Sequence, residues 1–476
     1  MNSAAVNPKT ILILGAGPAG LGAAWRLGQR GSFNVQVVEQ RGSVGGNAGT
    51  FTCASIPVDY GSHRLHPACD PVILDDLRSL LGSDLLKRPR HGRIRLRNRW
   101  IHFPLRAFDL MTHLPPTFAL GVFRDAAAKL LPTDRRAAAT SFSSVLQDGL
   151  GRTICRDFYF PYATKIWGMS PDDLSPIQAR RRVSASSLGR MVTKLFRRGH
   201  TSSSDGRSFY YPRNGYGQIS EALADAARTA KATIQLSTTV RRIYLGPPHH
   251  VDVEAGNGNE SIRADHLWST IPLAVLPRLV YPAPSESVLA ASGAMTSRAM
   301  VLVYLVLPVS QFTPFDAHYF PNGDVSLTRL SEPVNYSGLI HKSDHTVICA
   351  ELPCTTGDSI WNASADDLET LVRGDLTRCD LAMPSKTSAV EVTRLSHAYP
   401  IYRRGYEDDF SVLDRWSAGL DSVLTFGRQG LFAHDNTHHA LAMAYAAAEC
   451  LMDDGSFDHD RWRRHRAIFE SHVVED

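Results

Sequence analysis

The residues whose spacing best suits chemistry open the chain: Gly15-Ala16-Gly17-Pro18-Ala19-Gly20, a G-x-G-x-x-G run. An apolar, β-rich stretch from Thr10 to Leu14 precedes it, and Leu21 to Gly28 follows with apolar residues at helical spacing. Strand, glycine turn and helix in that order predict a phosphate site. The first glycine permits the tight turn, the second lets backbone approach a pyrophosphate, and the third lets helix pack on strand, while the helix N-terminus faces the charge. A second strand, Val35 to Val38, ends in Glu39, about 20 residues past Gly20, where an acid can hold a ribose hydroxyl. A glycine turn alone would be ordinary; the whole unit predicts dinucleotide binding.

Next come Gly45-Gly46-Asn47 and Tyr60-Gly61-Ser62-His63. Nicotinamide dehydrogenases have no general need for a second glycine pair, whereas FAD needs backbone close to its second phosphate and ribitol. These motifs resemble the FAD-dependent amine oxidase and protoporphyrinogen oxidase superfamily, and most closely its UDP-galactopyranose mutase-like branch. The G-G-N and Y-G-S-H islands resemble that branch, as does Tyr162 to Gly168 (YATKIWG) with Leu174 and Arg181 following. Tyr211 to Gly217 resembles the P-x-x-G-x-G turn, Ala264 to Pro272 the strand that closes the FAD domain, and Gly427-Arg428 the pair before a helix capping the isoalloxazine. Weaker islands lie at Arg329 to Ser337 and Ala398 to Tyr406.

The resemblance implies an α/β fold: a Rossmann-like FAD-binding domain on a parallel sheet, a helical segment, and an antiparallel-sheet substrate domain. On that basis 1–70, 207–275 and 420–476 form the FAD domain, 71–206 a helix-rich cap, and 276–419 the substrate domain. FAD is then expected at Gly15, Gly17, Pro18, Ala19, Gly20, Glu39, Gln40, Gly45, Gly46 and Asn47. Further contacts are implied at Gly61, Ser62, His63, Val240, Gly427, Arg428, Asn436, His438 and His439. His63, Trp167, Arg181, His434 and Asp435 are the implied catalytic or substrate residues. His63 would lie on the flavin face, Trp167 beside the substrate, and Arg181 on a substrate anion, since a guanidinium binds carboxylate or phosphate bidentately. His63, His434 or Asp435 could accept a proton during oxidation. As a bare pattern, His434, Asp435, His438 and His439 also suggest metal ligands; opening a helix beside a flavin, they read as polar pocket lining, and no metal is expected.

One stretch departs from the mutases, which carry phosphate-binding tyrosines after Gly-Arg. Here it reads Gln429-Gly430-Leu431-Phe432-Ala433-His434-Asp435-Asn436-Thr437-His438-His439, without tyrosine. The expected function is therefore an FAD-dependent oxidoreductase that moves a hydride from a small organic substrate to flavin N5. The alternative is a mutase-like sugar-nucleotide isomerase using reduced FAD.

The elements that must position these groups follow from periodicity. Helices are expected over 71–86, 105–131 with a break at Pro115-Pro116, 142–162, 219–230 and 437–451. Strands are expected over 234–240, 251–253, 266–270 and 423–426, with antiparallel strands through 298–420. Residues 93–103 read as one strand whose Arg93, Arg95, Arg97 and Arg99 share a solvated face. The polar segment 197–207 reads as a mobile loop. At 476 residues, 43% hydrophobic and 21% charged, the chain is globular with room for several domains. Its net charge of +4 gives no reason to expect nucleic acid. Seven dispersed cysteines without a C-x-x-C pair indicate a reducing compartment, and no segment is apolar enough to be a signal or span. The reading is a soluble, cytoplasmic enzyme with a small-molecule substrate.

Overall fold

The apolar strand β1 (Lys9–Leu14) is buried along Ile11 to Leu14 because sheet neighbours lie on both sides and helices or a second sheet cover both faces. In this computed structural model the described residues are 8–104, 112–128, 140–182, 208–256, 258–338, 343–384 and 386–474. Helix α1 (Pro18–Arg30) leads to β2 (Phe33–Val38); later come α2 (Gln218–Thr229), β3 (Thr233–Gln235), β4 (His266–Ser269), β5 (Val423–Thr425) and α3 (Thr437–Cys450). The strands form a parallel sheet in the order β5-β4-β1-β2-β3, and α1 packs against both α2 and α3. The β1–α1 turn requires its glycines: Gly15 has φ +104°, and a Cβ on Gly20 would sit 2.0 Å from the Gly15 carbonyl oxygen.

A seven-stranded sheet carries the rest of the site. Its order is Ala389–Pro400, Ser297–Leu307, Thr346–Cys354, Arg329–Ser331, Ala317–Tyr319, Gly92–Leu96 and Arg99–Phe103. Neighbours are antiparallel except Ala317–Tyr319 beside Gly92–Leu96. The central strand, Ser297–Leu307, reads as a continuous apolar run because both faces are covered. One face packs on Leu368, Val372 and Leu376 of helix Ala365–Arg378, the other on the hairpin Thr50–Cys53/Ile56–Asp59. A four-stranded sheet (Gly258–Ala264, His249–Ala255, Thr239–Tyr244, Val280–Tyr281) packs on the parallel sheet through Ile243, Val251 and Val253.

Several expected elements differ. Residues 93–103 form a hairpin, because Arg97 and Asn98 take left-handed turns at φ 50° and 59°. The arginines consequently share no solvated face. Arg93 stacks 4.2 Å from the Trp100 ring, Arg95 is buried against Asp324 (3.0 Å), and Arg97 pairs with Asp157 (2.6 Å). The helix expected to Leu86 stops at Leu81, and Leu85–Pro89 is a strand paired with Ser208–Pro212. The single strand over 234–240 divides between β3 and the four-stranded sheet, with Ser237 at φ 52° in the corner. The helix over 142–162 is broken at Gly151 (φ 85°) and resumes to Trp167. The loop expected at 197–207 and residues 105–111 and 129–131 lie outside the described residues.

Candidate cofactor and active site

A cavity of about 310 Å³ opens at the carboxyl end of β1 and β2, where the glycine turn faces the seven-stranded sheet. The turn supplies Gly15, Gly17, Pro18 and Ala19, and the end of β2 supplies Glu39, Gln40 and Arg41. Gly45, Gly46 and Asn47 form another wall, Ser62, His63 and Arg64 the next, and Arg428, Gln429, Asp435 and Asn436 the far side. Both Glu39 carboxylate oxygens are anchored: Oε2 accepts from Ala16 N and Oε1 from Arg41 N, each at 2.9 Å. Each oxygen keeps a further lone pair for a cavity ligand. A Cβ on Gly17 would meet no protein atom within 4 Å. That opening beside the N-terminus of the 13-residue α1 is what a pyrophosphate requires. Gly45 and Gly46, with φ 108° and 55°, bring backbone to the cavity as the second glycine pair was expected to. The residues present therefore fit a flavin dinucleotide. Asn47 has a bridging role: its Nδ2 donates to His397 O (3.0 Å), as Gln429 Nε2 does (2.8 Å), tying both walls to strand Ala389–Pro400.

His63 Nε2 lies 3.0 Å from Tyr60 O, and a carbonyl can only accept, so Nε2 carries the proton and Nδ1 holds a lone pair. The ring stacks on Tyr216 at 5.3 Å. Burial pushes the imidazole down to about 4, with Arg329 and Arg428 acting in the same direction and Glu351 and the Tyr60 carbonyl opposing. His63 is therefore a neutral base near pH 7. An unfolded chain would protonate it from about pH 6.5 downward while the folded chain would resist until about 4. Stability should accordingly fall as pH is lowered through that window. The slope should be less than about 1.4 kcal/mol per pH unit, because the ring still meets solvent across the cavity. Urea unfolding at several pH values checks this: His63→Gln should flatten the acid limb, and an unchanged limb would assign it to other groups.

Behind His63 sits a buried ion pair that the sequence did not disclose. Glu351 Oε1 accepts from Ser62 N (2.8 Å) and from Arg329 Nε (2.9 Å), and Arg64 donates to the hydroxyls of Tyr319 (2.9 Å) and Tyr336 (3.1 Å). Asp59 is a second hub, accepting from Thr50 Oγ1 (2.5 Å), Tyr211 OH (2.7 Å) and Tyr216 N (2.8 Å); burial pushes its carboxyl up to about 6. The signal for these groups was only that Arg329 opens one island of resemblance and Asp59 immediately precedes another.

Other expected site residues stand off the cavity lining. Gly20, Gly61 and Gly427 lie behind it, where they permit close packing. Val240 belongs to the four-stranded sheet, opposite Val253, because the chain turns away after β3. Trp167 is buried 5.5 Å from Phe142 and lines no part of the cavity. His434 is buried with Gln178 (3.1 Å to Oε1), edge-on to Tyr402 (4.9 Å). Arg181 Nη1 donates to Tyr402 OH (3.3 Å), so these three residues form a neighbouring aromatic cluster. His438 and His439 lie in the first turn of α3 and also miss the lining. Asp435 alone of the expected acid and base groups in that stretch reaches it. The seven cysteines are free and buried, and among the described residues no helix is long and apolar enough to cross a membrane.

Over residues 18–408 the chain matches the family described as flavin containing amine oxidoreductase. It is 35% identical over 81 residues to polyamine oxidase 4 of Oryza sativa subsp. japonica, covering 17% of this chain and 16% of that protein. The chain thus matches about a sixth of that relative's length. Reduced UDP-galactopyranose mutase is similar in fold, with TM-score 0.79 and 20% identity over 98% of this chain and 100% of the mutase. Cyclohexylamine oxidase from Brevibacterium oxydans IH-35A gives TM-score 0.65 and 18% identity over 93% of this chain and 98% of the oxidase.

Proposed function

Because the chain belongs to the flavin-containing amine oxidoreductase family, we propose that it binds FAD in the glycine-lined cavity and oxidises a small organic substrate. When bound there, the flavin supplies a two-electron acceptor, N5, for a hydride leaving the substrate. The chain's own groups do the rest. Backbone at Gly17 and the α1 N-terminus hold the pyrophosphate, Glu39 the ribose, and Gly45-Gly46 the second half of the dinucleotide. His63, neutral and bearing its lone pair on Nδ1, takes a proton released by the substrate. The observation that carries this reading is that one cavity joins the dinucleotide turn to His63.

The cavity's charge bears on the substrate. Arg41, Arg64, Arg90, Arg329, Arg394 and Arg428 line it against the carboxylates of Glu39 and Asp435. Arg329 and Arg64 are already paired with Glu351 and Asp316, and a diphosphate would offset the surplus of the other four arginines, which leaves no net negative charge to hold a polyamine. The substrate is therefore neutral or anionic. Within one oxidisable class, anionic and neutral members should give kcat/KM at least roughly tenfold above dicationic ones, the gap narrowing in salt. Initial rates across such a series check this, and a preference for the dication would refute it. The same arginines suit a sugar nucleotide, which keeps the isomerase reading in view. Against it, the stretch after Gly427-Arg428 has Phe432 packed against Tyr402 and no tyrosine of its own. Furanose formation from UDP-galactopyranose by the reduced protein, at an ordinary enzymatic rate, would establish the second reading.

A further inference from the structure

We propose that Asp435, His439 and His472 form a binding site for a divalent transition cation of the zinc class. Asp435 is 2% exposed, and neither of its carboxylate oxygens has a hydrogen-bond donor. A buried carboxylate left in that condition is costly, and it demands a positive partner. The groups facing Oδ1 are His439 Nδ1 and His472 Nδ1, each at 3.5 Å. Those separations are too long for hydrogen bonds. They match the spacing of about 3.4 Å between ligands that share one tetrahedral ion at about 2.0–2.1 Å.

Asn436 N donates to His439 Nδ1 at the long distance of 3.3 Å, so that nitrogen is unprotonated, and an ion would take its lone pair in place of this bond; His472 Nδ1 has no hydrogen-bond partner, so nothing holds a proton on it. Three possible ligand atoms lie within 4.8 Å of one another, one of them on a buried carboxylate without a donor, which leaves a place for a cation. Two imidazoles and a carboxylate suit zinc and its neighbours, with a fourth position left for water. Asp435 also lines the cofactor cavity, which gives an ion a route in.

The third ligand comes from the chain's end. Val474 N donates to Arg181 O (2.9 Å), which lays His472 over His439 with the rings stacked at 4.2 Å. Binding would draw the His472 ring out of that stack toward the ion, so the metal would clip the tail to the first turn of α3. Reading 434–439 as local pocket lining could not reveal a ligand so distant in sequence.

The test uses tag-free, FAD-loaded full-length protein, equilibrium dialysis against Zn²⁺ alone, and metal and flavin quantified in the same sample. Wild type should retain one Zn²⁺ per chain, and His472→Ala should lose affinity by roughly a hundredfold or more while keeping its flavin absorbance. Hydrogen exchange at 471–474 should rise when wild type is stripped with EDTA. Asp435→Asn, which removes the charge but little volume, should lose Zn²⁺ as well. Equal Zn²⁺ retention by wild type and His472→Ala, or no Zn²⁺ retained by either, would overturn the site.

Discussion

Gly17→Val should give a folded, colourless protein. A valine there keeps an allowed backbone, since Gly17 is extended at φ −77° and ψ 176°. Its side chain would project into the cavity, not into protein, because no atom lies within 4 Å of the Cβ position. The isopropyl group then occupies the space a pyrophosphate needs, and FAD affinity should fall by at least roughly a thousandfold, about 4 kcal/mol. The melting temperature of the apoprotein should move little, as for other substitutions that make no core contact. Gly20→Val is the contrast: its Cβ would sit 2.0 Å from Gly15 O, so that variant should fail to fold. Flavin absorbance after desalting and a thermal melt separate the two. A yellow Gly17→Val with wild-type FAD content would place the dinucleotide elsewhere.

Arg329→Met should destabilise the protein by about 3–5 kcal/mol, because it strands the buried Glu351 carboxylate. Glu351 is 3% exposed, and its Oε1 also holds Ser62 N, so the loss should reach the loop bearing His63 and lower FAD retention. The double variant Arg329→Met/Glu351→Met removes the orphaned charge and leaves only Ser62 N unsatisfied, a cost of about 1–3 kcal/mol. It should be more stable than Arg329→Met alone. Urea unfolding of the four species gives the coupling directly. Additive losses would mean that the pair is not the anchor of the Ser62-His63 loop.

What was legible in the sequence was what is local in it. Gly15 and Gly17 to Ala19 of the glycine turn, Glu39 and the Gly45-Gly46 pair line the cavity because each is fixed by a few consecutive residues of strand, turn and helix. The hairpin at Arg97-Asn98 was hidden because Asn98 is its only turn signal between two alternating runs. Trp167 and Arg181 were expected at the cavity from one island of resemblance, and His434 from the stretch that departs from it. Arg181 and His434 meet instead at Tyr402, a residue placed by a strand far along the chain, and Trp167 packs on His434. The Arg329–Glu351 pair depends on strand register across the seven-stranded sheet, and the Asp59 hub on the Thr50–Asp59 hairpin meeting strand Ser208–Pro212 and the turn after it; a period-2 pattern gives the face but not the partner. His472 reaches Asp435 only because the tail folds back onto Arg181.

The central claim, that the protein removes electrons from its substrate, is tested most directly by a single anaerobic turnover. Oxidised FAD-loaded protein is mixed with each neutral or anionic candidate substrate, and flavin bleaching and product are counted together. One oxidised product molecule should form per flavin reduced, with His63→Ala slowing the bleaching while keeping FAD bound. Product formed in excess of reduced flavin, or isomerised product appearing only after prior reduction of the flavin, would contradict a net oxidation.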